Sequence, residues 1–459
     1  MPWHVALALA VTAFGLVLRF LHARSFLSAG HASDYESAME RVRWMITHRR
    51  LFDAGEDLHV GYHAPLWYVL AAAIFTVCHA VRPIAYLSVG AWLVRQAVLA
   101  KIVRAALPQR PVAGLLALSL SAVLPISVLV DGKIYNEGLH AAFFSVALWF
   151  LYKIERQGAV DLRSVQRRDA LAFGVSAGLA LLTKTTALVL LGCFVALLVF
   201  WAWRAGARRF RTVARPLAEL ALAGAAGWIA IAGWWCLRNY RKFGHPFPHQ
   251  YVLRHLAVMR NHPIVGEPLL YRRPIGWVLP VQFDWLAWPY GPWSRPNFWA
   301  NLIAGTWSDI LNRGLCRSRL PGPTVAAWRD ATLVNHPCLN ASRACIWIGC
   351  FLTAISLYGM FSLLRQFVGS RGRNGSLVVP ASIAATVLLL MLFGIAYPFD
   401  HHPVIKANYA LGAAMPLCAC FAFALAALGR TAFGRVAESL VALGIAAVGA
   451  LVALQVLVL

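Results

Sequence analysis

The chain has 459 residues, 60% of them hydrophobic and 13% charged, with a mean hydropathy of +0.64 and a net charge of +24. Soluble domains carry about 25% charged residues, so a soluble globular protein is excluded. Nucleic acid is excluded as a partner too. Lys and Arg cluster in short loops between apolar runs, the pattern of the positive-inside rule and of contact with anionic lipid.

After the first apolar segment, the region 22–83 holds six of the 18 acidic residues: Asp34, Glu36, Glu40, Asp53, Glu56 and Asp57. Charge is costly to bury, so a membrane protein concentrates carboxylates where water or a substrate reaches them. Ser33 followed by Glu36 has the form of a capping box, and an acid at position 34 favours a helix dipole. Tyr35, Ala38, Met39, Val42, Met45 and Ile46 recur at helical spacing and predict an amphipathic helix suited to the membrane surface. Glu36 therefore has two open roles, cap and chemistry, while for Asp34 the chemical role is favoured. Side chains two apart on a helix diverge by about 200°. The pair is poorly placed to chelate one metal, a metal cofactor is not favoured, and a single general base fits better.

The remaining elements follow in order. Residues 64–80, at the short limit for a span, lie along or dip into the outer leaflet. Spans are expected at 84–103 and 112–130, joined by the basic loop 104–110, with 131–137 outside. Residues 138–152 cross back to the cytoplasmic stretch 153–169. The run 171–203 is too long for one span and breaks at Thr183-Lys184-Thr185-Thr186 into two. A basic loop at 204–215 precedes the span 217–236. The last spans are 343–364, 377–396, 408–428 and 437–457, with basic loops at 365–373 and 429–435. This gives an all-α polytopic membrane protein of about 11 spans, with the N-terminus inside and Asp34 outside. The organisation is a first transmembrane module over 1–237, a large external loop over 238–342 and a C-terminal set of helices over 343–459.

That large loop holds seven Trp (277, 285, 288, 293, 299, 307 and 328), which suit a headgroup-level belt, favoured for most of them, and also sugar or prenyl-chain contact, and it holds 12 Lys/Arg against four acids. Loops longer than about 60 residues escape the positive-inside rule, so the short loops set the orientation. The nine Cys show no paired CxxC spacing. Cys316 and Cys338 could pair in an oxidising compartment.

The order of features resembles the GT-C membrane glycosyltransferases that use polyprenyl-phosphate sugars, among them protein O-mannosyltransferases and lipid A aminoarabinose transferases. Asp34-Tyr35-Glu36 looks like the acidic pair of their first external loop. Gly61-Tyr62-His63-Ala64-Pro65-Leu66 looks like their H-P-P-L segment, with Ala64 in place of the first proline. Asn136-Glu137, Leu182-Thr183-Lys184, Trp235-Cys236-Leu237-Arg238-Asn239-Tyr240 and Gly244-His245-Pro246 also match. Lys406-Ala407-Asn408-Tyr409 resembles a K-x-R-Y segment, with Asn408 where Arg is usual.

The resemblance implies inverting transfer of a sugar from a polyprenyl-phosphate donor to a hydroxyl acceptor at the outer face of a bacterial inner membrane. Asp34 would take the acceptor proton, with Glu36 beside it. His63, Glu137, Lys184, Arg238, His245, Lys406 and Tyr409 would bind the donor and its phosphate. Asp131 and Glu137 orient the sugar or pair with Lys133. The alternatives are a transporter or lipid-linked sugar flippase, with Arg95 and Glu219 as its ionisable residues within or near spans, and a metal-dependent oligosaccharide transferase.

Overall fold

The computed structural model describes residues 2–26, 33–53, 64–247, 298–308, 337–370, 372–396, 407–429 and 434–458. Every regular element among them is helical. In chain order these are α1 (Trp3–Phe26), α2 (Ser33–His48), α3 (Leu66–Cys78), α4 (Arg82–Ala106), α5 (Pro111–Val123), α6 (Pro125–Asp131), α7 (Asn136–Val160) and α8 (Arg167–Thr183). They continue with α9 (Leu188–Trp228), α10 (Trp234–Phe243), α11 (Phe298–Trp307), α12 (Pro337–Gly369), α13 (Val378–Ala396), α14 (Leu411–Leu428) and α15 (Gly434–Ala453). Gly206 breaks α9 with a φ of 65°, in the left-handed region that glycine alone adopts freely.

Among the described residues, seven helices are long and apolar enough to cross a membrane, or eight if α5 and α6 form one bent span. The chain is an all-α multi-pass membrane protein. The expected number of spans was about 11. Helices α7, α8 and α13 fall below the same threshold: α8 has 17 residues, only 378–392 of α13 qualifies as apolar helix, and α7 carries His140, Lys153 and Glu155. With 13 residues, α3 is about 20 Å long at 1.5 Å per residue, short of a hydrocarbon core of about 30 Å.

The span expected at 112–130 is bent by 56° between α5 and α6. Pro125 has no N–H to offer the Ser121 carbonyl one turn earlier, so the helix cannot continue. Arg19 of α1 fills the gap: its guanidinium donates to the carbonyls of Ala122 and, at 3.5 Å, Ser121. Gly15 makes this approach possible, because a Cβ there would stand 2.5 Å from the Ala122 oxygen. Arg19 also donates to Asp131 and Ser127, and Arg95 of α4 donates to Asp131 as well. Asp131 is wholly buried and held by two arginines. It anchors a broken helix, as a backbone break inside a membrane protein requires.

The two ends of the bundle differ in charge. At one end the basic loops meet each other. Arg156 donates to the carbonyls of Arg373 and Gly375, both at 3.1 Å, and Arg110 to that of Gly429 at 3.1 Å. Buried Glu155 accepts from the Ser376 hydroxyl and the Leu377 and Val378 amides, capping the start of α13. The opposite end gathers the start of α7, the α8–α9 turn and the start of α14.

Trp307 departs from the headgroup-belt expectation. It is 1% exposed, lies against Gly349 and donates Nε1–H to Thr353 at 2.9 Å, which seats α11 on α12. Phe298, at the other end of α11, packs with Leu390 of α13 and with Tyr409. The other expected belt tryptophans outside α11 (277, 285, 288, 293 and 328) lie outside the described residues, as does Cys316; of the Cys338 side chain nothing is described.

Candidate functional site

Three segments remote in sequence meet at one ion pair. Glu137 stands in the first turn of α7, where the helix dipole favours a carboxylate. It is 1% exposed and accepts a hydrogen bond from the Lys184 ammonium at 2.7 Å. Lys184 lies in extended backbone between α8 and the short 3₁₀ turn Thr185–Ala187, so the break at Thr183–Thr186 delivers it here. Its Nζ also stands 4.0 Å from the centre of the Tyr409 ring, a cation–π contact. Tyr409 comes from the 3₁₀ turn Ala407–Ala410 that opens α14.

Two further residues stitch α7 to the same turn. Asn136 donates its amide to the Thr183 carbonyl at 3.2 Å. His140 holds the Ala180 carbonyl with Nδ1 at 3.2 Å and the Thr186 hydroxyl with Nε2 at 3.0 Å. A carbonyl only accepts, so Nδ1 carries the proton and Nε2 accepts from Thr186. Sequence reasoning missed His140. Its spacing of three from Glu137 on one helix face was the available signal.

Arg238 and His245 lie elsewhere. Arg238 pairs with Asp53, which also binds Lys242 at 2.7 Å and approaches Arg50 at 3.9 Å. Three cations around one carboxylate tie the segment after α2 to α10. The exposed ring of His245 closes a local turn, with Nδ1 3.1 Å from the Phe247 amide. His63 and Lys406 lie outside the described residues.

Asp34 and Glu36 fall in the first turn of α2; the backbone of this turn is described and its side chains are not. The helical register separates them. Position 34 shares a line with 38, 41 and 45, all buried, and position 36 shares one with 40, 43 and 47, all exposed. Position 34 thus lies on the inward line of α2 and position 36 on the outward one.

Among the described residues, no three His, Cys, Asp or Glu side chains are grouped to hold a metal ion. Glu137, Lys184 and Tyr409 assemble a lysine held between a carboxylate and an aromatic face, and position 34 is an acidic position on the inward stripe of α2. They suit binding an oxyanion and taking a proton.

No protein-family model matches the sequence, and no curated protein matches it. The fold is similar to that of solved structures. Against the Archaeoglobus fulgidus oligosaccharyltransferase AglB in complex with an inhibitory peptide and a dolichol-phosphate, the TM-score is 0.51 at 13% identity, covering 99% of this chain and 56% of that one. Against the same enzyme in complex with Zn and sulfate it is 0.51 at 14% identity, covering 98% and 52%. Against Cupriavidus metallidurans ArnT bound to undecaprenyl phosphate it is 0.38 at 16% identity, covering 98% and 77%. The chain spans about half the length of the oligosaccharyltransferase chains it matches.

The class that follows is one of architecture: this chain has the GT-C fold of membrane glycosyltransferases.

Proposed function

We propose that the protein transfers a sugar from a polyprenyl-phosphate donor to a hydroxyl acceptor, at the extracytoplasmic face of a bacterial inner membrane. The observation that carries this reading is the meeting of Glu137, Lys184 and Tyr409 at the bundle end opposite the basic loops. The GT-C fold supports it. Short basic loops belong on the cytoplasmic side, which supports a site on the outer side.

The chemistry assigns each group a step. Asp34 takes the acceptor hydroxyl proton as the acceptor oxygen bonds to the anomeric carbon. The bond from that carbon to the phosphate oxygen breaks, and its electron pair leaves with the lipid phosphate. Lys184 stabilises charge growing on that phosphate. Glu137 and the Tyr409 ring hold the ammonium in place. One displacement inverts the anomeric configuration. The opposed stripes of positions 34 and 36 support a step without a bridging metal, so chelator should leave transfer intact.

Arg95, the strongest feature of the transporter alternative, is bound to Asp131 at the α5–α6 break and has a structural role. The test is transfer from a radiolabelled polyprenyl-phosphate sugar by purified protein. Release of lipid phosphate with an inverted product supports the reading; movement of the intact lipid-linked sugar across vesicles without cleavage overturns it.

A further inference from the structure

The cations first assigned to the donor phosphate are already matched by carboxylates where they are described: Lys184 by Glu137 and Arg238 by Asp53. Arg41 differs. It lies on the inward stripe of α2 that carries position 34 and is 2% exposed. Its Nη1 donates to the Tyr68 hydroxyl of α3 at 2.5 Å, and its guanidinium carbon stands 5.3 Å from the Tyr68 ring centre. Its Nε and Nη2 are buried and meet no acceptor among the described residues. The same holds for the indole Nε1 of Trp67, whose ring stands 5.0 Å from that of Tyr68.

Buried N–H donors without acceptors are rare, and an uncompensated buried guanidinium is costly. Three such donors, on two side chains that both meet Tyr68, describe a place for an oxyanion. Its location fits. Ile134 and Leu139, which flank Glu137, belong to the same buried cluster as Met39, Val42, Trp67 and Tyr68. Phe52, beside Asp53, touches the Tyr68 ring at 5.1 Å.

We propose that Arg41, anchored by Tyr68 and joined by Trp67, is an oxyanion-binding element in the α2–α3 interface that takes the phosphate of the lipid-linked donor. The proposal rests on the donor reading above. A planar guanidinium with two adjacent N–H groups free suits two phosphate oxygens, which an ammonium cannot match in geometry. A site kept for a ligand has a stability signature that a structural arginine lacks. Without ligand, Arg41→Gln removes an unmatched charge and should melt no lower than the unaltered protein. With ligand, it should lose the stabilisation that binding confers.

The experiment measures binding and thermal shift of the full-length protein in detergent with polyprenyl phosphate, the matching polyprenol and inorganic phosphate. The unaltered protein should bind polyprenyl phosphate and not polyprenol. Arg41→Gln should weaken that binding by about tenfold or more, the scale of hydrogen bonds to a charged group. Trp67→Phe, which removes one donor and keeps an aromatic ring, should weaken it less and reads the same element should Arg41→Gln fail to fold. Equal binding of polyprenyl phosphate by both variants overturns the Arg41 element and leaves the donor reading standing. No binding by the unaltered protein overturns both. Arg41-dependent binding of inorganic phosphate with no gain from the lipid tail overturns the lipid source. An Arg41→Gln protein that folds but melts well below the unaltered one, with its lipid affinity unchanged, marks a structural arginine and overturns the proposal.

Discussion

Lys184 donates to Glu137 at 2.7 Å across 47 positions of sequence, joining the α8–α9 turn to the first turn of α7. Glu137 is 1% exposed and the Lys184 side chain 13%, so water screens the pair poorly. Removing one partner of such a pair leaves a buried charge behind, at a cost of about 3–5 kcal/mol. Glu137→Ala should therefore lower the melting temperature in detergent by many degrees. Lys184→Met should stabilise relative to Lys184→Ala, because it keeps the apolar stem against Tyr409, yet abolish sugar transfer. Near-normal transfer by Lys184→Met would remove Lys184 from the chemistry.

Arg19 closes the α5–α6 break, supplying the donor that Pro125 lacks and binding Asp131. Arg19→Met should leave the Ser121 and Ala122 carbonyls and a doubly buried carboxylate short of donors, a loss of about 3–5 kcal/mol. Thr12→Val on the same helix removes one hydroxyl bonded to the Ala8 carbonyl at 2.8 Å and to the Ser119 hydroxyl at 3.1 Å, and should cost about 0.6 kcal/mol for each hydrogen bond lost, the average inside a membrane protein. Reversible unfolding in detergent or bicelles compares the two. Equal losses would mean the break is held by packing rather than by the arginine.

Features that live in local periodicity were legible in the sequence. The α2 helix and the break at Thr183–Thr186 follow from apolar spacing and loop charge. The meeting of Glu137, Lys184 and Tyr409 was legible only as a common side of the membrane. Pairings between distant segments were not: nothing in the order of residues ties Arg19 to Asp131 or Arg238 to Asp53, since each contact exists only once helices have packed. Pro125 inside an apolar run was a visible signal for a bend, outweighed by the length of the run. Trp307 was assigned to the headgroup belt because an aromatic in a long polar loop has the same local pattern whether it faces lipid or docks on a helix.

Sidedness has a direct measurement. Position 33 opens α2 beside Asp34, and exposed Arg163 lies in the basic stretch between α7 and α8. In a cysteine-free background, a membrane-impermeant maleimide on intact cells should label Ser33→Cys and spare Arg163→Cys until the inner membrane is opened. The reverse pattern would put the candidate site in the cytoplasm and remove an extracytoplasmic donor.

The two acids of α2 should separate in function as they separate in register. Position 34 shares the buried line of Ala38, Arg41 and Met45, and position 36 the exposed line of Glu40, Arg43 and Thr47. Asp34→Asn preserves size and the ability to start a helix but cannot accept a proton. A general base contributes roughly 10²–10⁴-fold, so transfer should fall by that order while insertion and melting temperature hold. Glu36→Gln still closes a capping box and should retain most activity. Turnover of a polyprenyl-phosphate sugar by the two variants at matched expression decides it. A dead Glu36→Gln beside an active Asp34→Asn would move the base to the outward stripe, and chelator-sensitive loss in both would replace the single base with a metal held by the pair.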